Sequence, residues 1–275
     1  MAKNPLQQYF RQPKIFISLP SQGVYSKPGS IDGDPTKLPL FGMTGMDEIM
    51  LKTADGLLSG DSTASVINSC CPSIVDPWEL STLDIDLILA AIRIATYGEE
   101  LAMIKTCSEC GTENEYAIKL SKFIDHFSSC EYHNVVEVED LKVTIRPLTY
   151  RQSQDFSFKN FMLQQKIFQL SEIKNEKDKK KSSEDLVKEL TVTRNEVFAA
   201  GIESVDTGHE VVTDRKFINE WLANIDSNIV KIISDHIEQN KKAWTVAPQP
   251  VVCENCGHES TLSVELDQSN FFGNA

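Results

Sequence analysis

Cysteines stand in two short pairs, Cys107-Ser-Glu-Cys110-Gly111 and Cys253-Glu-Asn-Cys256-Gly257, each with the spacing of half a tetrahedral zinc site. Two thiolates separated by two residues can reach one ion from a tight knuckle. A glycine directly after the second cysteine lets the chain turn through positive φ, so that backbone amides point at the sulfurs. Both pairs have that glycine, and each is followed by an alternating stretch, Glu115-Tyr-Ala-Ile-Lys-Leu120 and Thr261-Leu-Ser-Val-Glu-Leu266. A period of two predicts a strand leaving the knuckle. The expected unit is knuckle plus strand, twice, with Cys107, Cys110, Cys253 and Cys256 as ligands of one structural zinc ion. Such a site joins segments roughly 140 residues apart, and four protein ligands leave no position open for water or substrate.

Other uses of these thiols remain open on sequence. Two separate sites completed by His126, His133 or His258 would satisfy the same spacing rule. A thioredoxin-like pair also has two intervening residues, but there a strand feeds a helix, whereas here polar residues and a strand pattern follow. A disulfide framework fits poorly with an odd count of 7 cysteines. Cys70, Cys71 and Cys130 are most simply small buried hydrophobes.

The chain has 275 residues, 41% of them hydrophobic and 24% charged, enough for one large core or two small ones. A formal charge of −13 argues against nucleic acid or an anionic membrane as the main partner. No apolar run near the start has signal-peptide length, and the greasiest stretch, 85–95, contains Asp86 and Arg93. The expected setting is a reducing cytoplasm, with no membrane partner.

The chain reads as α+β: a mainly helical body with short β-hairpins and a split, zinc-ribbon-like site of four cysteines. Residues 1–36, punctuated by Pro13, Pro20, Gly23, Pro28, Gly29, Gly33 and Pro35, predict an extended, ordered N-terminal arm. Residues 37–130 form a first half holding a helix and the first knuckle. The pattern over 80–98 is apolar all round, with Ser81 or Thr82 as N-cap and Gly98 as stop, and so predicts a buried helix. Residues 131–275 form a second half. It opens on a hairpin pairing 135–138 with 141–145, continues into a helix from Thr149, and contains an uncharacteristically charged stretch, 174–184, expected as an exposed linker or frayed helix end. Ile218, Leu222, Ile225, Ile229, Ile232, Ile233 and Ile237 then fall at helical spacing, in two helices re-capped at Asp226.

The halves echo each other. Pro39-Leu-Phe-Gly-Met-Thr44-Gly-Met-Asp47 and Pro147-Leu-Thr149-Tyr-Arg-Gln152 each offer threonine as N-cap and an acidic or amide side chain three residues on. Internal duplication of two halves is the corresponding expectation. No phosphate-binding glycine loop, nucleophile elbow or His-Glu-x-x-His helix is present, and the histidines show no paired ligand spacing. No catalytic constellation emerges.

Taken in order, several of these motifs resemble a known family. Leu19-Pro-Ser-Gln-Gly-Val-Tyr25, the Pro-Leu-x-x-Met-Thr element, Arg93-Ile-Ala-Thr-Tyr-Gly98, Cys-x-x-Cys-Gly, Arg146-Pro-Leu-Thr149 and the closing Cys-x-x-Cys with Asp267-Gln-Ser-Asn-Phe-Phe-Gly273 are similar to the baseplate hub assembly proteins of T4-like contractile-tailed phages. The resemblance implies a non-enzymatic role in building the tail baseplate hub, as chaperone or hub component, in the cytoplasm of an infected bacterium. The partners it implies are other phage baseplate hub or tail proteins. Residues 19–25 and 269–273 are the expected contact surfaces. The alternative is a zinc-ribbon nucleic-acid-binding or transcription-linked protein, which would need a basic face despite the overall charge.

Overall fold

The computed structural model describes residues 4–52, 59–172 and 175–264. In chain order the elements are β1 (Ile15–Ile17), β2 (Leu38–Leu40), α1 (Gly45–Leu51), α2 (Asp61–Cys70), α3 (Thr82–Tyr97), β3 (Glu100–Thr106), β4 (Glu113–Lys119), α4 (Ser121–Ser129), β5 (Val135–Val138) and β6 (Leu141–Ile145). There follow α5 (Tyr150–Glu172), α6 (Glu176–Ala200), β7 (Ile202–Asp206), β8 (Val211–Val212), α7 (Arg215–Asn224), α8 (Ser227–Trp244), β9 (Gln249–Val252) and β10 (Glu259–Leu262). Among the described residues helices dominate and every sheet is antiparallel, so the fold is α+β. Two compact units emerge: residues up to Cys130 together with those from Trp244 on, and Glu131–Ala243. The segment carrying the second knuckle, grouped with the second half on sequence, packs with the first unit.

The first unit is centred on α3. Ser81 caps it, its hydroxyl accepting from the Leu83 N–H, and the helix stops at Gly98. Ile85, Leu87, Ile88, Leu89, Ala90, Ala91, Ile92 and Ala95 are all buried. Each large aliphatic side chain withdrawn from water in this way contributes about 1.5–3 kcal/mol. The residues before α1 are less an arm than a wrapping. β1 pairs with β2, placing Ile15 opposite Leu40 and Ile17 opposite Leu38. Leu19 is buried, and the Ser21 N–H and hydroxyl both donate to the Asp84 carboxylate of α3, at 3.0 and 2.6 Å. Arg11 ties the earlier turn down: its guanidinium donates to the Gly42 and Ser69 carbonyls at 2.7 Å each and lies over the Phe41 ring. Of the expected contact segment 19–25, Leu19 and Ser21 therefore face the protein's own core, while Val24 is exposed. Residues 269–273, including Phe271 and Phe272, lie outside the described residues.

The second unit is a four-stranded sheet, in the order β5-β6-β7-β8, covered by helices. Val136, Val138, Val143, Ile145, Ile202 and Val205 supply the buried face of the sheet, and Ile218 and Ile233 come from α7 and α8. The expected isoleucine stripe is thus largely core. Asp226 re-caps it, accepting from the Asn228 N–H at 2.9 Å. Lys159–Glu196 and Lys166–Glu189 ion pairs at 2.6 and 2.7 Å link α5 to α6. Being exposed, each contributes at most about 1 kcal/mol. The charged stretch read as a linker or frayed end is, from Glu176 on, the opening of α6. Lysine and glutamate are good helix formers, so a stretch without apolar residues can still be helical when it extends a helix anchored elsewhere.

Both threonine caps form as capping boxes. Thr44 Oγ1 accepts from the Asp47 N–H while the Asp47 carboxylate accepts from the Thr44 N–H, and Thr149 and Gln152 repeat the exchange.

The buried Asp84 carboxyl titrates at about 6, pushed up by burial and held back by the hydrogen bonds from Ser21. A carboxyl whose folded value lies above its unfolded one favours folding in its protonated form. Its contribution is full below about pH 4 and lost as pH rises through about 6. Thermal melts of wild type and Asp84→Asn between pH 4.5 and 7.5 should therefore show the wild type gaining on the variant as pH falls.

Candidate metal centre

β3 and β4 form a long hairpin whose tip is the first knuckle, and β9 and β10 form a short one whose tip is the second. The two tips are built alike. In the first, the Cys107 N–H donates to the Thr112 carbonyl at 2.9 Å and the Gly111 N–H to the Cys107 carbonyl at 3.0 Å. In the second, the Cys253 N–H donates to the His258 carbonyl and the Gly257 N–H to the Cys253 carbonyl, both at 2.9 Å. Gly111 has φ +70° and Gly257 φ +72°, the left-handed conformation that the spacing predicts.

The four sulfurs converge. Cys107 Sγ lies 3.7 Å from Cys256 Sγ, and Cys110 Sγ lies 3.6 Å from Cys253 Sγ. All four lie within 4.8 Å of one another. A tetrahedral zinc site with about 2.3 Å to each sulfur has edges of about 3.8 Å, so the group can hold a single metal ion. Cys107 and Cys253 are buried and Cys110 and Cys256 exposed. Among the described residues no histidine joins the group. His258 lies at its edge, its ring 3.4 Å from the Ser108 hydroxyl, and His126 stands 3.7 Å from Cys130.

The surroundings favour thiolates but not four at once. Cys110 is pushed down to about 5, first by its hydrogen bond with the Thr112 side chain, then by those with the Thr112 backbone and the Asn255 side chain. Cys253 is pushed down by the Cys256 backbone, with the Asn114 side chain among the further causes. At Cys256 the His258 backbone favours ionisation, yet the sulfur of Cys110, burial and the other two thiols outweigh it and raise it to about 12. A divalent cation held among the four sulfurs would offset that mutual repulsion and favour all four as thiolates. Cys70 and Cys71, by contrast, are pushed up to about 12 and about 11, chiefly by burial, and behave as the apolar packing residues expected of them.

Three polar residues around the sulfurs escape the cysteine spacing. Thr112 Oγ1 is 3.3 Å from Cys110 Sγ and accepts from Asn255 Nδ2 at 3.1 Å. Asn114 Nδ2 donates to Cys253 Sγ at 3.4 Å, and its Oδ1 accepts from the Glu254 N–H at 2.9 Å. The only available signal was their place just inside or after the knuckles, which polar residues of many kinds would share. Farther out, Lys105 Nζ donates to the Thr261 carbonyl at 2.6 Å and the Tyr116 hydroxyl to the Val252 carbonyl at 3.1 Å, joining the two hairpins.

Residues 44–273 match the family of the T4 bacteriophage base plate protein. The chain belongs to that family. The matched span takes in both knuckles, Arg93–Gly98 and Arg146–Thr149, whereas the Leu19–Tyr25 motif precedes it. No curated protein and no solved structure matches the chain. Membership gives the chain a role in the base plate of a phage tail, among other tail or base plate proteins. No helix among the described residues is long and apolar enough to cross a membrane.

A side chain at Gly111 or Gly257 would meet no atom within 4 Å, so only the backbone conformation opposes one. Gly111→Ala and Gly257→Ala should each cost about 1–2 kcal/mol. In thermal melts that is a loss of a few degrees, about equal for the two variants.

Proposed function

We propose that this base plate protein is a non-enzymatic assembly factor of the tail hub, chaperone or hub component, stapled by one structural zinc ion on Cys107, Cys110, Cys253 and Cys256. The family match over residues 44–273 carries the reading. The donor set supports its second half: four thiol sulfurs at near-tetrahedral spacing suit zinc in a reducing compartment, and a fully protein-ligated ion has no open position for chemistry. The ion would supply only cohesion, fixing two hairpins whose strands are too few to stand alone. The chain's own residues shape the rest: the knuckle backbones aim the sulfurs, and α3 gives the unit a rigid centre. A formal charge of −13 disfavours the nucleic-acid alternative. Assembly would proceed in the host cytoplasm before the protein reaches the tail.

Two experiments test this. Co-purification from infected cells should bring down base plate hub proteins with the chain, whereas nucleic acid released steeply by salt would favour the alternative. Metal analysis of the purified chain should give one zinc per molecule. Cys110→Ser and Cys256→Ser should each lose that zinc and lower stability by more than about 4 kcal/mol, because a metal's binding free energy is folding free energy. Two zinc ions per chain, with one surviving each substitution, would reject the shared site.

A further inference from the structure

We propose that Asn114 is a positioning residue of the metal centre, holding the two knuckles in ligating register and delivering a hydrogen bond to the sulfur of Cys253. This rests on the metal reading above and adds to it a residue outside the four ligands.

Asn114 is the second residue of β4 and is only 4% exposed, although it follows the first knuckle by just three positions. Its side chain is committed on three sides. Nδ2 donates to the Thr112 carbonyl of its own knuckle at 3.0 Å and to Cys253 Sγ of the other at 3.4 Å. Oδ1 accepts from the Glu254 N–H, inside the second knuckle, at 2.9 Å. The Glu254 N–H can meet only an acceptor, which fixes the oxygen toward it and turns the NH2 toward the sulfur and the carbonyl.

No other side chain of this length can do the same. Aspartate has no donor and would set a negative charge beside a thiolate. Leucine has the shape but neither donor nor acceptor, and would take this acceptor away from the Glu254 N–H. Glutamine carries the same amide one methylene too far. Four thiolates on a divalent cation carry a net charge of −2, so an N–H aimed at one sulfur also stabilises the loaded site electrostatically. Partners of this kind typically change metal affinity by about 10–100-fold.

A weaker counterpart runs in the opposite direction. Asn255, from the second knuckle, donates to Thr112, which in turn lies against Cys110. That relay is exposed, so water can replace it, whereas the Asn114 bond to Cys253 is buried and its bonds to Thr112 and Glu254 are partly so.

The test uses the full chain loaded with zinc, and in parallel with cobalt(II), whose thiolate charge-transfer absorption reports the sulfur environment. Asn114→Asp keeps the shape and Asn114→Leu removes both donor and acceptor. Each should release zinc to a chromophoric chelator about 10–100-fold faster than wild type and shift the cobalt band. Asn255→Ala should change release by less than about threefold, well below the change expected at Asn114. Wild-type release rates and an unshifted cobalt band in both Asn114 variants, even with a lowered melting temperature, would overturn the proposal by making Asn114 a packing residue only. If either variant does not fold, the other decides. A wild-type chain that takes up no zinc would overturn the metal reading and this one together; a wild type that loads normally beside unchanged Asn114 variants would overturn this one alone.

Discussion

Convergence of four sulfur atoms from two places in the chain is the constraint on which the first unit depends. Cys107 and Cys256 are 149 residues apart and Cys110 and Cys253 are 143 apart, yet each pair of sulfurs is under 4 Å. Closing a loop of that length costs conformational entropy that grows slowly with length, and a metal ion is an efficient way to offset it. Neither hairpin would be stable in water by itself. Bound to each other through the cluster, and through the Lys105 and Tyr116 bonds across it, they become one rigid end of the unit. This also explains why the segment from Trp244 on belongs with residues far upstream rather than with those just before it.

The rest of the first unit is held by a different device, polar groups, buried at Asp84 and partly exposed at Arg11, that bind the N-terminal wrapping to helices behind it. Asp84 accepts two hydrogen bonds from Ser21, and Arg11 reaches the backbone just before α1 and at the end of α2. Bonds to charged groups are individually stronger than neutral ones, about 1.5–3 kcal/mol each, and they specify one register where apolar contact alone would tolerate several. In the second unit the register is set by a sheet instead, with the two-residue turn at Glu139-Asp140 between β5 and β6 and alternating valines on the buried face. Glu139 takes a positive φ of 54°, the conformation a tight hairpin turn demands even of a side-chain-bearing residue.

Much of this was legible in the sequence, and the reasons differ by element. α3 could be read because capping and an all-round apolar pattern agree, and the break at Asp226 because an aspartate interrupts an isoleucine period. The cysteine pairs were legible because metal spacing is short-range and chemically narrow. β7 and β8 were not foreseen, since Ile202–Asp206 is short and β8 has only two residues. The first turns of α6 are ambiguous in the sequence because lysine-rich sequence looks the same in a solvated helix and in a linker. The clasp of Asn114, Thr112 and Asn255 was invisible because its geometry exists only once both knuckles meet. Arg11 and the Ser21–Asp84 pair were hidden for the same reason, as their partners are 31 to 63 residues away.

Whether all four sulfurs share one zinc ion can be read from X-ray absorption at the zinc edge of the purified, metal-loaded chain. A shared ion gives four sulfur scatterers at about 2.3 Å and no nitrogen among its ligands. A shell of mixed sulfur and imidazole nitrogen, or two to three sulfurs with oxygen, would contradict it.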